Sequence, residues 1–330
     1  MTTAPLAIPM GDPAGIGPEI IAKSWAVRAL RKLPPFALVG DPGAVRRVWN
    51  GPVETVGAIG EAAAVFDRAL PVLAVADAGS ITLGTPEIGG ARAALQALDR
   101  SIALVRDGEA RALVTGPVSK AQLYGIGFNQ SGQTEFVAER CGVAAEDAVM
   151  MLAGPSLRVV PITAHVPLAQ VSAMLSVELI VAKARTTAAG LRRDFGIAAP
   201  RLAFAGFNPH AGESGMIGRE EIDILAPAIA QLRAEGIDAT GPFAADTLFH
   251  ARARTGYDVV LCCYHDQALV PIKTLHFDEG VNVTLGLPIV RTSPDHGTAF
   301  GIAGTDQAHP GAMIAAIAMA GQAADRRARA

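Results

Sequence analysis

The sequence predicts an α/β protein with a mostly parallel sheet that helices cover on both faces. Short runs rich in Val, Ile and Leu alternate with longer segments of helical periodicity, and these runs are continuously apolar rather than alternating. The length of 330 residues favours two domains. Because the chain has no low-complexity linker and no internal repeat, the domain boundary must run through ordinary connections.

The predicted strands and helices follow one another along the chain. A strand-like run, PLAIP, lies near the start, and further strand runs are FALVG (36–40), RALVTG (111–116), LRVVPITA (157–164), RLAFAG (201–206), DVVLCC (258–263) and GLPIVRTS (286–293). The helical segments are GAVRRVW (43–49), EIGGARAALQALDRSIALVRDG (87–108), SVELIVAKARTTAAGLRRDFG (176–196) and REEIDILAPAIAQLRAEG (219–236). The last two are predicted to end at Gly196 and Gly236, because glycine is common at the residue that follows a helix.

Composition and charge exclude several classes of function. The net charge of −3 and the lack of a basic stripe argue against a nucleic-acid partner. Neither a disulfide framework nor a Cys-x-x-Cys pattern is present, which fits a reducing cytoplasm. The most apolar stretch, GAMIAAIAMAG (311–321), is about half the length that a bilayer requires, so we expect a buried packing helix and no membrane partner.

The first loop, MGDPAGIGPEII (10–21), resembles a dinucleotide-binding glycine loop only in part. Ile20 occupies the position of the third glycine, and Glu19 would place negative charge where a pyrophosphate docks. The loop therefore favours a tight turn that carries Asp12 and Glu19 into a site.

Two polar segments follow in the first half of the chain. In VTGPVSK, Lys120 is either an anion contact at a helix start or an ordinary surface lysine. In SGQTE, Thr134 has the character of a helix N-cap, and Gln133 offers a neutral hydrogen-bonding side chain.

Three histidines each follow a strand run: His165, His210 and His265. Ligands of open α/β sheets bind at the carboxyl ends of strands, and imidazole is a common ligand of zinc-like cations. A single histidine at a strand end is more often structural, but three in polar turns favour an open metal site. Asp266 follows His265 and is a candidate either to accept the second ring N–H or to orient a neighbouring ligand.

Polar residues near the C-terminal end suggest a second set of contacts. Lys273, Asn282 and Arg291 are either a cluster of donors for a carboxylate or phosphate, or three separate surface residues. A tight polar turn follows, made of Asp295, His296, Gly297 and Thr298.

Together these motifs resemble the 4-hydroxythreonine-4-phosphate dehydrogenase (PdxA-like) family of pyridoxal phosphate, or vitamin B6, biosynthesis. The motifs occur in order over nearly the whole chain: GDPAGIGPE, TGPVSK, TAHVPL, NPHAGESG, ADTLF, YHDQALVPIK, GVNVTLGLPIVRTS and DHGTAFGIAG. The resemblance implies a two-domain α/β/α fold similar to isocitrate and isopropylmalate dehydrogenases. It also implies a homodimer whose active site lies at the subunit interface.

The resemblance assigns a divalent cation (zinc, magnesium or cobalt) to the three histidines. His165 and His210 would come from one chain and His265 from its partner. It assigns substrate contacts to the residues Gln133, Thr134, Lys273, Asn282 and Arg291. The family pattern has histidine in Gly-His-Thr-Glu where this chain has Gln133, which places the identity of the substrate in question.

The implied reaction is the NAD- or NADP-linked oxidation of 4-phosphohydroxy-L-threonine to 2-amino-3-oxo-4-phosphooxybutanoate, which decarboxylates to 3-amino-2-oxopropyl phosphate. Asp246 and Asp266 are candidates for orienting ligands or relaying a proton. Cofactor contacts are assigned to Asp12 and to residues 295–298. Gly301 stands where the isopropylmalate dehydrogenases have the acidic residue that favours NAD.

Alternatives concern the substrate and the class of function. Relatives within this family act on four-carbon sugar-acid 4-phosphates (erythronate or threonate) or on aromatic cis-dihydrodiols. A metal-stabilised metabolite-binding protein is the non-enzymatic alternative. The predicted domains are 1–130 with 270–330, and 131–269, the second carrying the histidines and the dimer interface.

Overall fold

The structure is a computed structural model that describes residues 4–329. Its strands are β1 (Leu6–Pro9), β2 (Phe36–Gly40), β3 (Val53–Val56), β4 (Leu70–Ala74), β5 (Leu113–Val114), β6 (Val149–Ala153), β7 (Arg158–Pro161), β8 (Arg201–Ala205), β9 (Asp238–Phe243), β10 (Val259–Cys262), β11 (Val281–Leu285) and β12 (Arg291–Pro294). Its α-helices are α1 (Gly17–Ala26), α2 (Arg28–Arg31), α3 (Pro42–Val48), α4 (Ala62–Val65), α5 (Ile88–Arg106), α6 (Lys120–Tyr124), α7 (Gln133–Arg140), α8 (Leu168–Met174), α9 (Val177–Phe195), α10 (Ala226–Ala234), α11 (His265–His276) and α12 (Gly311–Arg327).

The described residues divide into two compact units. The first comprises the chain up to Ala145 with Leu287–Ala328, and the second comprises Glu146–Gly286. The predicted boundaries lay at 130/131 and 269/270. Helix α7 belongs to the first unit because it packs against α5, and β11 belongs to the second because it pairs with β6.

The first unit contains strands in the order β3-β4-β2-β1-β5-β12, and their pairings are parallel. Helix α5 packs against β1 and β2, and α12 packs against β12. Helix α12 contains the apolar stretch 311–321, and most of its Ala, Ile and Met side chains are buried. The stretch is therefore the packing helix that the sequence predicts, and no described helix has both the length and the apolar character to cross a membrane.

The second unit contains strands in the order β11-β6-β7-β10-β8-β9. Strand β6 runs antiparallel to both of its neighbours, whereas β7, β10, β8 and β9 are parallel. In the centre of this sheet, Leu261 of β10 lies opposite Val160 of β7 and Phe204 of β8. The carboxyl ends of these three strands therefore meet at one edge, which is where the sequence places the three histidines.

The structure corrects three local predictions. The run 286–293 forms a strand only from Arg291, because the chain first turns at Gly286, where φ is +87°. The predicted helix 219–236 begins with a wider turn at Glu221–Leu225 before α10, near Pro227, which lacks an N–H. Thr134 is not an N-cap, because α7 begins at Gln133 and Gly132 occupies the cap position.

Candidate active site

The loops that follow β7, β10 and β8 are joined by side-chain hydrogen bonds. Thr163 donates its hydroxyl to the carbonyl oxygen of Cys263 at 2.8 Å. The buried amide of Gln267 accepts from the backbone N–H of Cys263 and donates to the carbonyl oxygen of Gly206, both at 2.7 Å. These bonds hold the three strand ends together. This role of Gln267 is not evident from the sequence, although the residue stands two positions after His265 in the YHDQ motif.

His165 and His265 are brought together at this edge. Their ring centroids lie 5.5 Å apart, with the planes tilted by 44°. Both line a pocket of about 270 Å³, together with Thr163, Val166, Leu168, Val171, Tyr264 and Asp266. Burial raises the pKa of the Tyr264 hydroxyl above its ordinary value. The pocket thus presents two imidazoles from neighbouring strand ends.

Asp266 lies beside the ring of His265, as the sequence predicts. Its Oδ1 is 2.7 Å from Nδ1 of His265. A carboxylate in this position accepts the Nδ1 proton, which leaves Nε2 as the lone-pair nitrogen that a cation needs. The carboxylate of Asp266 is itself 77% exposed, so it orients the imidazole from the solvent side.

His210 lies in a different environment from the other two histidines. Its side chain is 72% exposed, and its Nδ1 is 3.6 Å from a carboxylate oxygen of Glu213. Both His210 and His165 have left-handed backbone conformations, with φ of 53° and 56°. Such conformations cost about 1–2 kcal/mol for a residue other than glycine and cluster at functional sites.

Among the described residues of one chain, the three histidines do not come together in a single cluster. Within residues 4–329 no group of three or more His, Cys, Asp or Glu side chains is placed to hold a metal ion. The paired imidazoles, with a carboxylate behind one of them, fit a cation that prefers nitrogen ligands. The pair is His165 with His265, whereas the resemblance grouped His165 with His210.

In the first unit, the buried side chain of Arg291 is hydrogen-bonded to two threonines. The side chain is 3% exposed and donates to Thr115 Oγ1 at 2.8 Å and to Thr134 Oγ1 at 3.3 Å. Burial lowers the pKa of Arg291 to about 10, and the charge of Glu135 opposes this shift. The guanidinium is therefore protonated at neutral pH, and a buried cation of this kind favours an anionic ligand.

Gln133 adds an oriented amide to the first unit. Its Nε2 donates to the carbonyl oxygen of Gly116 at 3.1 Å. Because that carbonyl can only accept, the other amide atom must be the oxygen, and this Oε1 is buried without a hydrogen-bond partner. A Cβ at Gly116 would lie 3.0 Å from the carbonyl oxygen of Pro9, so the turn is closely packed.

The other predicted substrate and catalytic residues lie in the second unit. Lys273 is half-buried on α11, and Asn282 is half-buried on β11, where its Oδ1 is shielded from solvent and has no hydrogen-bond partner. Asp246 is exposed in a short turn after β9 and is not among the residues that line the histidine pocket.

Among the cofactor candidates, Asp12 is the most deeply buried. Its Oδ1 accepts from the backbone N–H of Ala14 at 3.0 Å, and its Oδ2 is buried without a hydrogen-bond partner. Burial raises the pKa of this carboxyl above its ordinary value. Glu19, in contrast, is used structurally, because it binds Lys23 at 2.8 Å and accepts from the N–H of Gly304. Asp12 therefore has a carboxylate oxygen that is not used in a hydrogen bond, whereas Glu19 is used in contacts within the first unit.

The loop of Asp12 lies against the turn 295–298. The N–H of Ile16 donates to the carbonyl oxygen of Thr298 at 3.0 Å, and a Cβ at Gly15 would lie 2.8 Å from the same oxygen. In this turn His296 is exposed, with Nδ1 3.1 Å from the carbonyl oxygen of Gly297, and Asp295 is half-buried. The structure therefore brings the predicted cofactor residues into one region of the first unit.

Comparison with known proteins identifies the family of this chain. Residues 33–320 match the family model described as pyridoxal phosphate biosynthetic protein PdxA. The chain belongs to the PdxA family. A 4-hydroxythreonine-4-phosphate dehydrogenase from Zymomonas mobilis is 57% identical over 323 residues, which cover 98% of this chain and 96% of that one. The resemblance drawn from the motifs is confirmed.

Solved structures share the fold of this chain. A 4-hydroxythreonine-4-phosphate dehydrogenase from Klebsiella pneumoniae matches with a TM-score of 0.86 and 37% identity, covering 98% of both chains. A terephthalate 1,2-cis-dihydrodiol dehydrogenase from Burkholderia xenovorans matches with a TM-score of 0.66 and 30% identity, covering 96% of this chain and 98% of that one. The predicted α/β fold class with a mostly parallel sheet is confirmed.

Proposed function

We propose that the protein is a metal-dependent, NAD(P)-linked dehydrogenase. It oxidises the secondary alcohol of 4-phosphohydroxy-L-threonine to 2-amino-3-oxo-4-phosphooxybutanoate, which loses carbon dioxide to give 3-amino-2-oxopropyl phosphate. The observation that carries the proposal is the pair His165 and His265 at neighbouring strand ends. Membership of the PdxA family supports the choice of substrate.

The metal site is proposed to be shared between two copies of the chain. His165 and His265 supply two imidazoles from one chain, and His210 of the partner subunit supplies the third. The exposure of His210 supports this division. Large apolar side chains are exposed near it in sequence, as at Met216 (85%), and beside the histidine pocket at Leu168 (67%), which suits a surface that a second copy covers.

His165, His265 and His210 of the partner subunit would hold a cation that lowers the pKa of the substrate alcohol, and a bound nicotinamide would supply the hydride acceptor for the carbinol carbon. The hydroxyl proton would pass to the candidate for proton transfer, Asp246. Asp266 holds the proton of His265 on Nδ1 and so keeps Nε2 available. Arg291, positioned by Thr115 and Thr134, binds an anionic group of the substrate. The Oε1 of Gln133 accepts a hydrogen bond from an amino or hydroxyl group.

The remaining candidate residues keep secondary roles in the proposal. Lys273 and Asn282 are further substrate contacts. Asp246 stays a candidate for proton transfer. The nicotinamide cofactor is assigned to the region of Asp12 and residues 295–298. Gly301 is exposed and carries no acidic side chain to bind a free 2′-hydroxyl, so both NAD and NADP are assigned as candidate cofactors.

A second substrate class is favoured by one observation. Gln133 replaces the histidine of the family motif. Unlike an imidazole, an amide cannot accept a proton from a substrate or carry a positive charge next to an anionic group. A cis-dihydrodiol, which offers two hydroxyl donors and no phosphate, fits such an acceptor, and the Burkholderia xenovorans structure is named for an enzyme that acts on one.

The test is a nicotinamide-reduction screen with zinc, magnesium or cobalt. It compares 4-phosphohydroxy-L-threonine, erythronate and threonate 4-phosphates and a cis-dihydrodiol, each with NAD and with NADP. We expect turnover of the first substrate. Turnover of another without the first would overturn the substrate assignment but keep the dehydrogenase. If no compound reduces nicotinamide while chelation lowers the melting temperature, the protein is a metal-stabilised metabolite-binding protein instead.

A further inference from the structure

The segment that carries His210 has an unusual backbone. Five consecutive residues lie in the left-handed helical region, which L-residues other than glycine seldom adopt in succession. Their φ and ψ angles are 53° and 25° at His210, 52° and 44° at Ala211, 78° and 1° at Gly212, 43° and 55° at Glu213, and 58° and 29° at Ser214. We call this segment, 210–214, the left-handed turn. Since only one of its residues is glycine, contacts from elsewhere must hold it.

Glu221 makes contacts of this kind. Its side chain is 4% exposed, and its Oε1 accepts from the backbone N–H of Asn208 at 2.7 Å. Its Oε2 accepts from the amide Nδ2 of Asn208 at 2.9 Å. The same amide Nδ2 also donates to Oε2 of Glu220 at 2.7 Å. Asn208 stands two residues before His210, so this carboxylate fixes the entry to the left-handed turn through both the main chain and the side chain.

The carboxylate of Glu221 also fits closely against the turn. A Cβ at Gly212 would lie 2.6 Å from Oε2 of Glu221, and a Cβ at Gly206 would lie 3.2 Å from Oε1. The carboxylate is thus packed between the end of β8 and the middle of the left-handed turn. A buried carboxylate needs hydrogen-bond donors to offset the loss of its hydration. The donors to Glu221 come from Asn208, at the entry to the left-handed turn that carries His210.

We propose that Glu221 is a positioning residue for the metal site. It holds the left-handed turn through Asn208 and so sets the direction of the His210 imidazole. This inference rests on the proposed role of His210 as a ligand. Partners that orient metal ligands commonly change metal affinity about 10- to 100-fold when they are replaced.

The test uses the full-length metal-free protein, titrated with Co²⁺ and followed by its visible absorption spectrum, which reports ligand number and geometry. In Glu221→Gln the shape is kept, but the new amide N–H₂ faces the donor Nδ2 of Asn208. We expect about 10- to 100-fold weaker Co²⁺ binding and an altered spectrum. In a His210→Ala background the same substitution should have no further effect, because Glu221 acts through His210.

The matched control is Asp223→Asn. Asp223 lies on the same turn as Glu221 but is exposed and pairs with Arg219, so this change should leave the Co²⁺ affinity and spectrum unchanged. If Glu221→Gln does not fold, Asn208→Ala, which removes only the side-chain donor, is measured with the same expected direction.

The outcomes separate this inference from the proposed function. A wild-type protein without a histidine-dependent cobalt spectrum would overturn both the metal site and the role of Glu221. A wild-type protein that binds cobalt, with Glu221→Gln binding it equally well, would overturn the role of Glu221 alone. The same holds if Glu221→Gln weakens binding as much in the His210→Ala background as in the wild type.

Discussion

The imidazole rings of His165 and His265 lie 5.5 Å apart, although 99 residues separate them in the chain. Their proximity follows from the sheet, because β7 and β10 are parallel neighbours with Val160 opposite Leu261. Each loop leaves its strand at the same edge, and the hydrogen bond from Thr163 to Cys263 joins them. Both rings of this pair therefore come from one chain, and the proposed shared site takes its third histidine, His210 of the partner subunit, from the second copy.

This pairing can be tested with hybrid dimers. We expect a dimer of one His165→Ala chain and one His265→Ala chain to be inactive, because each site would lack one histidine of the pair. A hybrid of His210→Ala with His265→Ala should regain about half of the wild-type activity, because one of its two sites is intact. Differently tagged chains, co-expressed and purified through both tags, allow the measurement. Half-activity in the first hybrid would support the division implied by the family resemblance instead.

Arg291 is expected to control substrate affinity. Replacing Arg291 by Met removes a buried cation that Thr115 and Thr134 hold in place. The KM for the phosphorylated substrate should rise about 30- to 1,000-fold, which corresponds to about 2–4 kcal/mol. Arg68→Met is the control, since Arg68 forms an exposed pair with Glu54 and should change KM less than about twofold. An unchanged KM in Arg291→Met would remove this residue from the substrate site.

Gln133 is expected to make its contact independent of pH. An amide does not titrate, whereas a histidine in the same place titrates near about pH 6.5. Gln133→Ala should lower kcat/KM by about tenfold, because a buried acceptor is lost. In Gln133→His, the ratio of mutant to wild-type kcat/KM should bend near pH 6–7. A ratio that is flat from about pH 5 to 9 would show that the side chain does not meet the substrate.

The pair Arg201 and Asp258 should give the second unit part of its stability. Burial of the carboxyl opposes the shift, but hydrogen bonds from Arg201 to both oxygens outweigh it and lower the pKa of Asp258. A lowered folded pKa stabilises the protein above the unfolded value of about 3.9, and the effect is lost as the pH falls through the folded value.

Asp258→Asn should therefore cost about 1.5–3 kcal/mol at pH 7, with a difference that shrinks in acid below about pH 4. Urea unfolding at a series of pH values between about 3 and 7 measures the cost at pH 7 and its decrease in acid. Asp223→Asn, at an exposed pair, should cost less than about 1 kcal/mol. A cost for Asp258→Asn that does not change with pH would contradict the electrostatic explanation.

The position of the histidines could be predicted because continuous apolar runs identify buried parallel strands, and strand ends meet at one edge. The sequence does not predict which of the histidines approach each other. Strand β10 has β7 and β8 as neighbours, so His265 could pair with either side. The left-handed turn gives His210 a different environment. A single glycine, Gly212, is the only residue in this turn whose type indicates a left-handed backbone in the sequence.

The missed features depend on contacts that are distant in the chain. Thr134 has the chemistry of an N-cap, but Gly132 occupies that position and leaves Thr134 to contact Arg291. Gln267 and Glu221 resemble ordinary helix residues in the sequence. The role of Gln267 appears only when the ends of β8 and β10 are placed side by side. The role of Glu221 appears only when the segment after β8 folds against its carboxylate.

Nicotinamide reduction is proposed to depend on a cation that the histidines hold. The most direct measurement removes all metal with a chelator and follows reduced nicotinamide from 4-phosphohydroxy-L-threonine before and after zinc is added back. We expect no turnover without metal, recovery in the wild type, and no recovery in His265→Ala at the same zinc concentration. Near-normal turnover by the metal-free wild-type protein would show that the reaction does not depend on a metal.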